Sequence, residues 1–194
     1  MKRKLSVLGG VAAIALLALA MLAAPAGAKT KTKTFSSGPT AIPIPDQSPP
    51  PESLPGFAVS DIGVTKKGTI KDLNAAVQIT HTDTADLDLW LFKGDKSIPL
   101  AQNVSGPGAN DDNFGSGTGC VGGMTVFDSA APLRIAQGVN PFDGPFRLNQ
   151  NDLPMSVYNG DQLKGTWRLV VVDQDDVDIG TITCFQVTAK YKAG

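Results

Sequence analysis

Glutamate is almost missing from this chain: Glu52 is the only one, set against 17 aspartates. Glu suits helix interiors, whereas the short Asp side chain hydrogen-bonds nearby backbone and favours turns and caps. With 21 Gly and 14 Pro as well, a strand-and-turn protein with almost no helix is expected. Histidine is equally scarce, with His81 standing alone. A Ser/His/Asp triad needs an imidazole to take the serine proton. His81 falls by parity on the apolar face of a predicted strand, where a hydrogen-bonded packing role is expected. Neither G-x-S-x-G nor H-E-x-x-H occurs, so the nucleophile elbow and the zincin helix are excluded as motifs. Two Trp and two Tyr leave few aromatics for a glycosidase cleft, and no Asp pair is marked out for that chemistry. Two cysteines and one histidine are too few for a zinc site. The chain is not expected to be an enzyme.

Long apolar runs are confined to the start. Lys2-Arg3-Lys4, the apolar stretch Leu5 to Leu22 and Ala26-Gly27-Ala28 have the order of a secretory signal, basic then apolar then a small-residue cleavage site. Residues 1–28 are therefore expected to be removed on export, from a source that looks bacterial. The alternative is a retained membrane anchor, which needs about 20 apolar residues. After cleavage no membrane segment remains. The mature chain would carry 14 Lys+Arg against 18 Asp+Glu, a net of −4. From Ile42 onward the balance is 11 against 18, or −7. Nucleic acid is gripped by clusters of Lys and Arg, so it is not an expected partner. A secreted, extracellular location is expected. In that compartment Cys120 and Cys184 read as one disulfide, the alternative being two buried free thiols. Cross-linking residues 64 apart would stabilise the fold by roughly 4 kcal/mol on the loop-entropy model.

Residues 29–56 read as a linker: KTKTKT alternates charge and hydroxyl, and SSGPTAIPIPDQSPPPESLPG is rich in Pro and Ser. That composition favours an extended tether, although Ile42–Asp46 would also serve as an edge segment. The body, 57–194, reads as strands. Phe57–Val64 is the first. Leu73, Ala75, Val77, Ile79 and His81 alternate with more polar neighbours, and Leu87, Leu89 and Leu91 repeat the period of two. Lys93-Gly94-Asp95-Lys96 marks a hairpin turn before Ser97–Ala101. Residues 102–123 hold seven of the 21 glycines and predict a long loop of the functional or metal-stapled kind. Met124–Phe127, Pro145–Leu148, Trp167–Val172 and Thr181–Tyr191 complete about eight short strands. The expected fold is an all-β, jelly-roll-like antiparallel β-sandwich.

Oxygen-rich turns point to a hard cation, since Ca²⁺ takes six to eight oxygen ligands. Asp111, Asp112 and Asn113 in the long loop, joined by Asp86, Asp88 and Asp128 from strand ends, form one candidate calcium set. Asp173, Asp175 and Asp178 in the turn before the last strand form a weaker one. Neither has EF-hand spacing. The alternative for both is a solvated acidic loop whose Asp residues cap turns.

Between Ile79 and Phe185 the chain carries ITHT and ADLDLWL, then DNFG, FDSAA, PFDGPFR, YNGDQLKGTWRLVVVD and IGTITCF. In that order and spacing they resemble the P domain (P/Homo B domain) of kexin- and furin-like proprotein convertases and bacterial subtilisin-like proteases. The resemblance covers roughly residues 60–191. It implies a jelly-roll-like sandwich, non-catalytic, that accompanies a subtilisin-type serine endopeptidase, aids its folding and stability, and influences its calcium and pH dependence. There are departures. Ala85 stands where the family often has Gly, Ser129 and Ala130 replace acidic residues after Asp128, and Phe185 stands for Trp. Cys120 and Cys184 look like a local addition. Only residues 29–56 precede the body after the signal, so the domain is expected to be free-standing. Its expected partner is a separately encoded protease or a cell-surface component. The alternative function is an extracellular glycan- or cell-wall-binding β-sandwich.

Overall fold

In the computed structural model, residues 29–105, 112–149 and 154–193 are described; the expected signal segment, 1–28, lies outside them. The described residues form ten strands: β1 (Thr30–Ser36), β2 (Ile42–Ile44), β3 (Gly56–Val64), β4 (Thr69–His81), β5 (Leu87–Lys93), β6 (Lys96–Gln102), β7 (Thr125–Phe127), β8 (Gly144–Phe146), β9 (Gly165–Asp173) and β10 (Gly180–Lys192). Three single 3-10 turns, at Thr84–Asp86, Ile135–Gln137 and Met155–Tyr158, are the only helical pieces among the described residues. One sheet runs β1-β10-β4-β7-β8, with β2 also on β10; the other runs β3-β9-β5-β6. All pairings are antiparallel except β7 with β8. This is the all-β sandwich that the Asp, Gly and Pro usage and the period-two segments lead to.

Alternation builds the core. β3 is strictly alternate, burying Ala58, Ser60, Ile62 and Val64 and turning Phe57, Val59 and Asp61 outward. Leu87, Leu89 and Leu91 of β5 and Trp167, Leu169 and Val171 of β9 face Leu73, Ala75, Val77 and Ile79 of β4, all fully buried or nearly so. Each buried Leu, Ile or Val among them contributes about 1.5–3 kcal/mol when removed from water. Trp167 meets Tyr158 edge-on at 5.1 Å, and both polar tips are satisfied, Tyr158 Oη donating to Leu91 O at 2.8 Å and Trp167 Nε1 to Leu163 O at 3.2 Å. Burial therefore holds the Tyr158 hydroxyl well above its ordinary pKa.

The leader differs from the expected tether. Thr30–Ser36 pairs residue for residue with Gln186–Lys192, and Ile42–Ile44 pairs with Gly180–Ile182. Together they cover one whole edge of β10. A Lys/Thr alternation lacks the apolar face that marks a strand, yet an exposed edge supplies backbone partners regardless of side chains. Phe35 and Ile42 give it an apolar foothold on the core.

A register shift between Ile182 and Cys184 reverses the parity of β10, so Ile182 meets Ile79 while Cys184 meets Gln78. One extra residue in a strand has that effect. It aims Cys184 at the loop after Phe114, where Cys120 closes the expected disulfide with Cα atoms 5.2 Å apart. The same loop is seated by Phe114, which stacks on Phe142 at 5.4 Å, with Phe146 edge-on behind.

Candidate functional site

Two turns at one end of the sandwich bring six of the 18 acidic residues together. β4 ends at His81, and residues 82–86 turn the chain into β5. β9 ends at Asp173, and 174–179 turn it into β10. Asp83 caps the first turn, its Oδ1 accepting from Ala85 N at 2.8 Å. The turns are tied by Gln174 N donating to Asp86 O at 3.0 Å and by Thr82 Oγ1 donating to Asp178 Oδ1 at 2.5 Å.

Asp83, Asp86 and Asp178 each offer a carboxylate oxygen within 4.8 Å of the others. Among the described residues the ion pairs are His81–Asp173, Lys96–Asp161 and Arg168–Asp61, so no Lys or Arg neutralises this trio. Burial, then repulsion from Asp83, Asp175, Asp178 and Asp173, pushes the Asp86 carboxyl up to about 6. Val177, a β-branched residue, sits in the same turn at φ 88°, a conformation that costs on the order of 1–3 kcal/mol. Oxygen donors without counter-charge suit a hard cation and offer nothing to a soft one. An acidic cluster that a metal ion would fit is thus present.

Beneath it lies a closed pair. His81 Nε2 donates to Asp173 Oδ2 at 3.1 Å, and neither side chain is exposed. His81 Nδ1 lies 2.5 Å from Asp83 O, and Asp173 Oδ1 accepts from Asp175 N at 3.3 Å. Burial raises the Asp173 carboxyl, and the His81 bond opposes that rise. The pair ties β4 to β9, and His81 is buried and hydrogen-bonded through both ring nitrogens.

The expected calcium sets are redistributed by the fold. Asp86 and Asp178, taken from different sets, converge, and Asp83 completes their trio. Asp175 stands close enough to repel Asp86; Asp173 is committed to His81. Asp88 lies on the outer face of β5, where Oδ2 accepts from Gln102 Nε2 at 3.3 Å and Oδ1 has no partner. Asp128 caps a turn through Ala130 N and accepts from Asn74 Nδ2 at 3.1 Å. Asn113 Oδ1 accepts from His81 N at 3.0 Å, and Asp112 O accepts from Asn140 Nδ2 at 3.1 Å. Asp112, Asn113, Asn140 and Pro141 line a cleft of about 250 Å³. Asp111 lies outside the described residues. Asp83 belongs to neither expected set; it is brought to Asp178 by the meeting of two turns far apart in the chain, and it also caps its own turn.

The fold and this end define an all-β sandwich with a disulfide and an unneutralised acidic cluster. No helix among the described residues is long and apolar enough to cross a membrane. No protein-family model matches the sequence, and no curated protein matches it. Among solved structures it is similar to the serine protease of Aeromonas sobria bound to its chaperone, with 15% identity and a TM-score of 0.43 over 87% of this chain and 28% of that one. It is similar also to the same protease alone, with 16% identity and a TM-score of 0.37 over 84% and 27%. The chain thus spans about a quarter of those protease chains.

Proposed function

We propose that this chain is a secreted, non-catalytic P/Homo B-like module that binds and stabilises a separately encoded subtilisin-like serine protease and is itself stabilised by Ca²⁺. The observation that carries this reading is where the resembling pieces fall. GTWRLVVVD is the whole of β9, ADLDLWL covers Ala85-Asp86 of the first turn and most of β5, and IGTITCF opens β10. These are interior strands of both sheets, so the ordered string that resembles an accessory domain coincides with the frame of the sandwich. The closed His81–Asp173 pair supports a binding role over a catalytic one. The disulfide supports export.

For calcium, the carboxylates of Asp83, Asp86 and Asp178 would hold the ion, and its charge would cancel their repulsion across two turns. Held there, an ion would tie the β4–β5 and β9–β10 connections together.

The test is capture. The purified exported protein is immobilised, exposed to the secreted proteins of its source, and the retained fraction is labelled with a fluorophosphonate probe of active serine hydrolases. Retention of a labelled subtilisin-like protease, with slower heat inactivation in the presence of this chain, is the expected result. A retained fraction with no labelled serine hydrolase would sink the proposal.

A further inference from the structure

The outer face of the four-stranded sheet carries chemistry that the fold does not use. Its registers set outward side chains in rows: Asp61, Arg168, Phe92 and Ser97, then Val59, Val170 and Trp90, with Pro99 of β6 opposite Trp90 but buried. The second row is apolar. Over the first lies an open cleft of about 500 Å³, lined by Asp61, Phe92, Gly94, Thr166, Arg168 and Val170, within the size range of small-ligand sites.

The polar side of the cleft is self-neutralised. Arg168 Nε and Nη2 donate to the two Asp61 carboxylate oxygens, both at 2.8 Å, and that contact holds the Asp61 carboxyl below its ordinary pKa. About half of each side chain stays exposed, 50% for Arg168 and 42% for Asp61. The guanidinium thus keeps free N–H donors, the carboxylate keeps free lone pairs, and Thr166 adds a hydroxyl. An anion entering here would have to take Arg168 from Asp61, and a cation the reverse. The favoured occupant is therefore uncharged, with donors and acceptors together on one edge and an apolar face for Phe92 and Val170. Vicinal hydroxyls on a ring with exposed C–H faces meet all of these demands. A protein partner needs about 800 Å² per side, and a self-paired rim offers it no complementary charge.

We propose that this face binds neutral glycan, with a sugar ring laid on Phe92 and its vicinal hydroxyls held by Arg168 and Asp61, the chain continuing along Trp90. This site is separate from the acidic end and does not depend on protease binding.

The experiment uses the exported protein on an array of neutral hexose and N-acetylhexosamine oligomers beside uronate- and sulfate-bearing ones, followed by titration of the best neutral binder. Selective neutral binding, weakened at least tenfold in both Phe92→Ala and Arg168→Gln at unchanged melting temperature, is expected. If Phe92→Ala fails to fold, Thr166→Val reads the same cleft from an exposed position. Binding to nothing on the array, binding only to acidic glycans, or binding unchanged in the variants would each overturn the proposal. So would self-association in sedimentation that Phe92→Ala abolishes, because the face would then seat a second copy.

Discussion

Replacing Asp86 by Asn removes one charge from the acidic end with almost no change of shape. The carboxyl is raised from 3.8 to about 6, first by burial and then by its acidic neighbours. A raised folded-state pKa means that the folded protein holds its proton longer than the unfolded chain does. Below about pH 4 the group is protonated in both states and costs nothing. Between about pH 4 and 6 the unfolded chain ionises first, so stability falls as pH rises, and above 6 the full penalty applies. Unscreened, the shift would amount to ~3 kcal/mol; the side chain is only partly buried, so screening reduces it to roughly 1–2 kcal/mol. Without calcium at pH 7.5, Asp86→Asn is expected to melt roughly 2–6 °C higher than the parent. The gap should close near pH 4. In calcium the order should reverse, because a site at 100 times its Kd adds about 2.7 kcal/mol and the variant has lost a ligand. Differential scanning calorimetry across pH, in EDTA and in millimolar Ca²⁺, reads all three. A variant no more stable than the parent in EDTA at pH 7.5 would refute the repulsion argument. An undiminished calcium response would refute the site.

Other expectations are simpler to read. Asp173→Ala strands His81 in the core and should cost about 3–5 kcal/mol in urea unfolding; a loss under 1 kcal/mol would mean that the pair is not structural. Cys120→Ser with Cys184→Ser should lower stability by roughly 2–5 kcal/mol, and the parent should show no reactive thiol when denatured. Deleting residues 29–41 uncovers the long edge of β10, so self-association by light scattering and a loss of about 1–3 kcal/mol from Phe35 and its ladder are expected. Unchanged solubility and stability would return the segment to the status of a tether.

Local pattern sufficed wherever the physical constraint is local. Period-two alternation from Leu73 to His81 and from Leu87 to Leu91 placed two core strands, because one buried face fixes strand parity. The Asp, Gly and Pro bias selected turns over helices, and parity also put His81 inside. What could not be read were relations across the chain. Thr30–Ser36 has no strand signature; it is a strand because β10 presents an open edge 150 residues later. The partner of His81 lies 92 residues away, and neither residue names the other. Asp86 and Asp178 were assigned to different calcium sets, and Asp83 to neither. Three carboxylates meet there because β4–β5 and β9–β10 turn back at the same end of the sandwich. The sequence alone determined the class of fold, which follows from composition and period, and offered the cysteine pairing that the structure closes. The tertiary structure decided which acids share a site and which outward side chains form rows, since those depend on strand order and register, and hydrophobic alternation is indifferent to both.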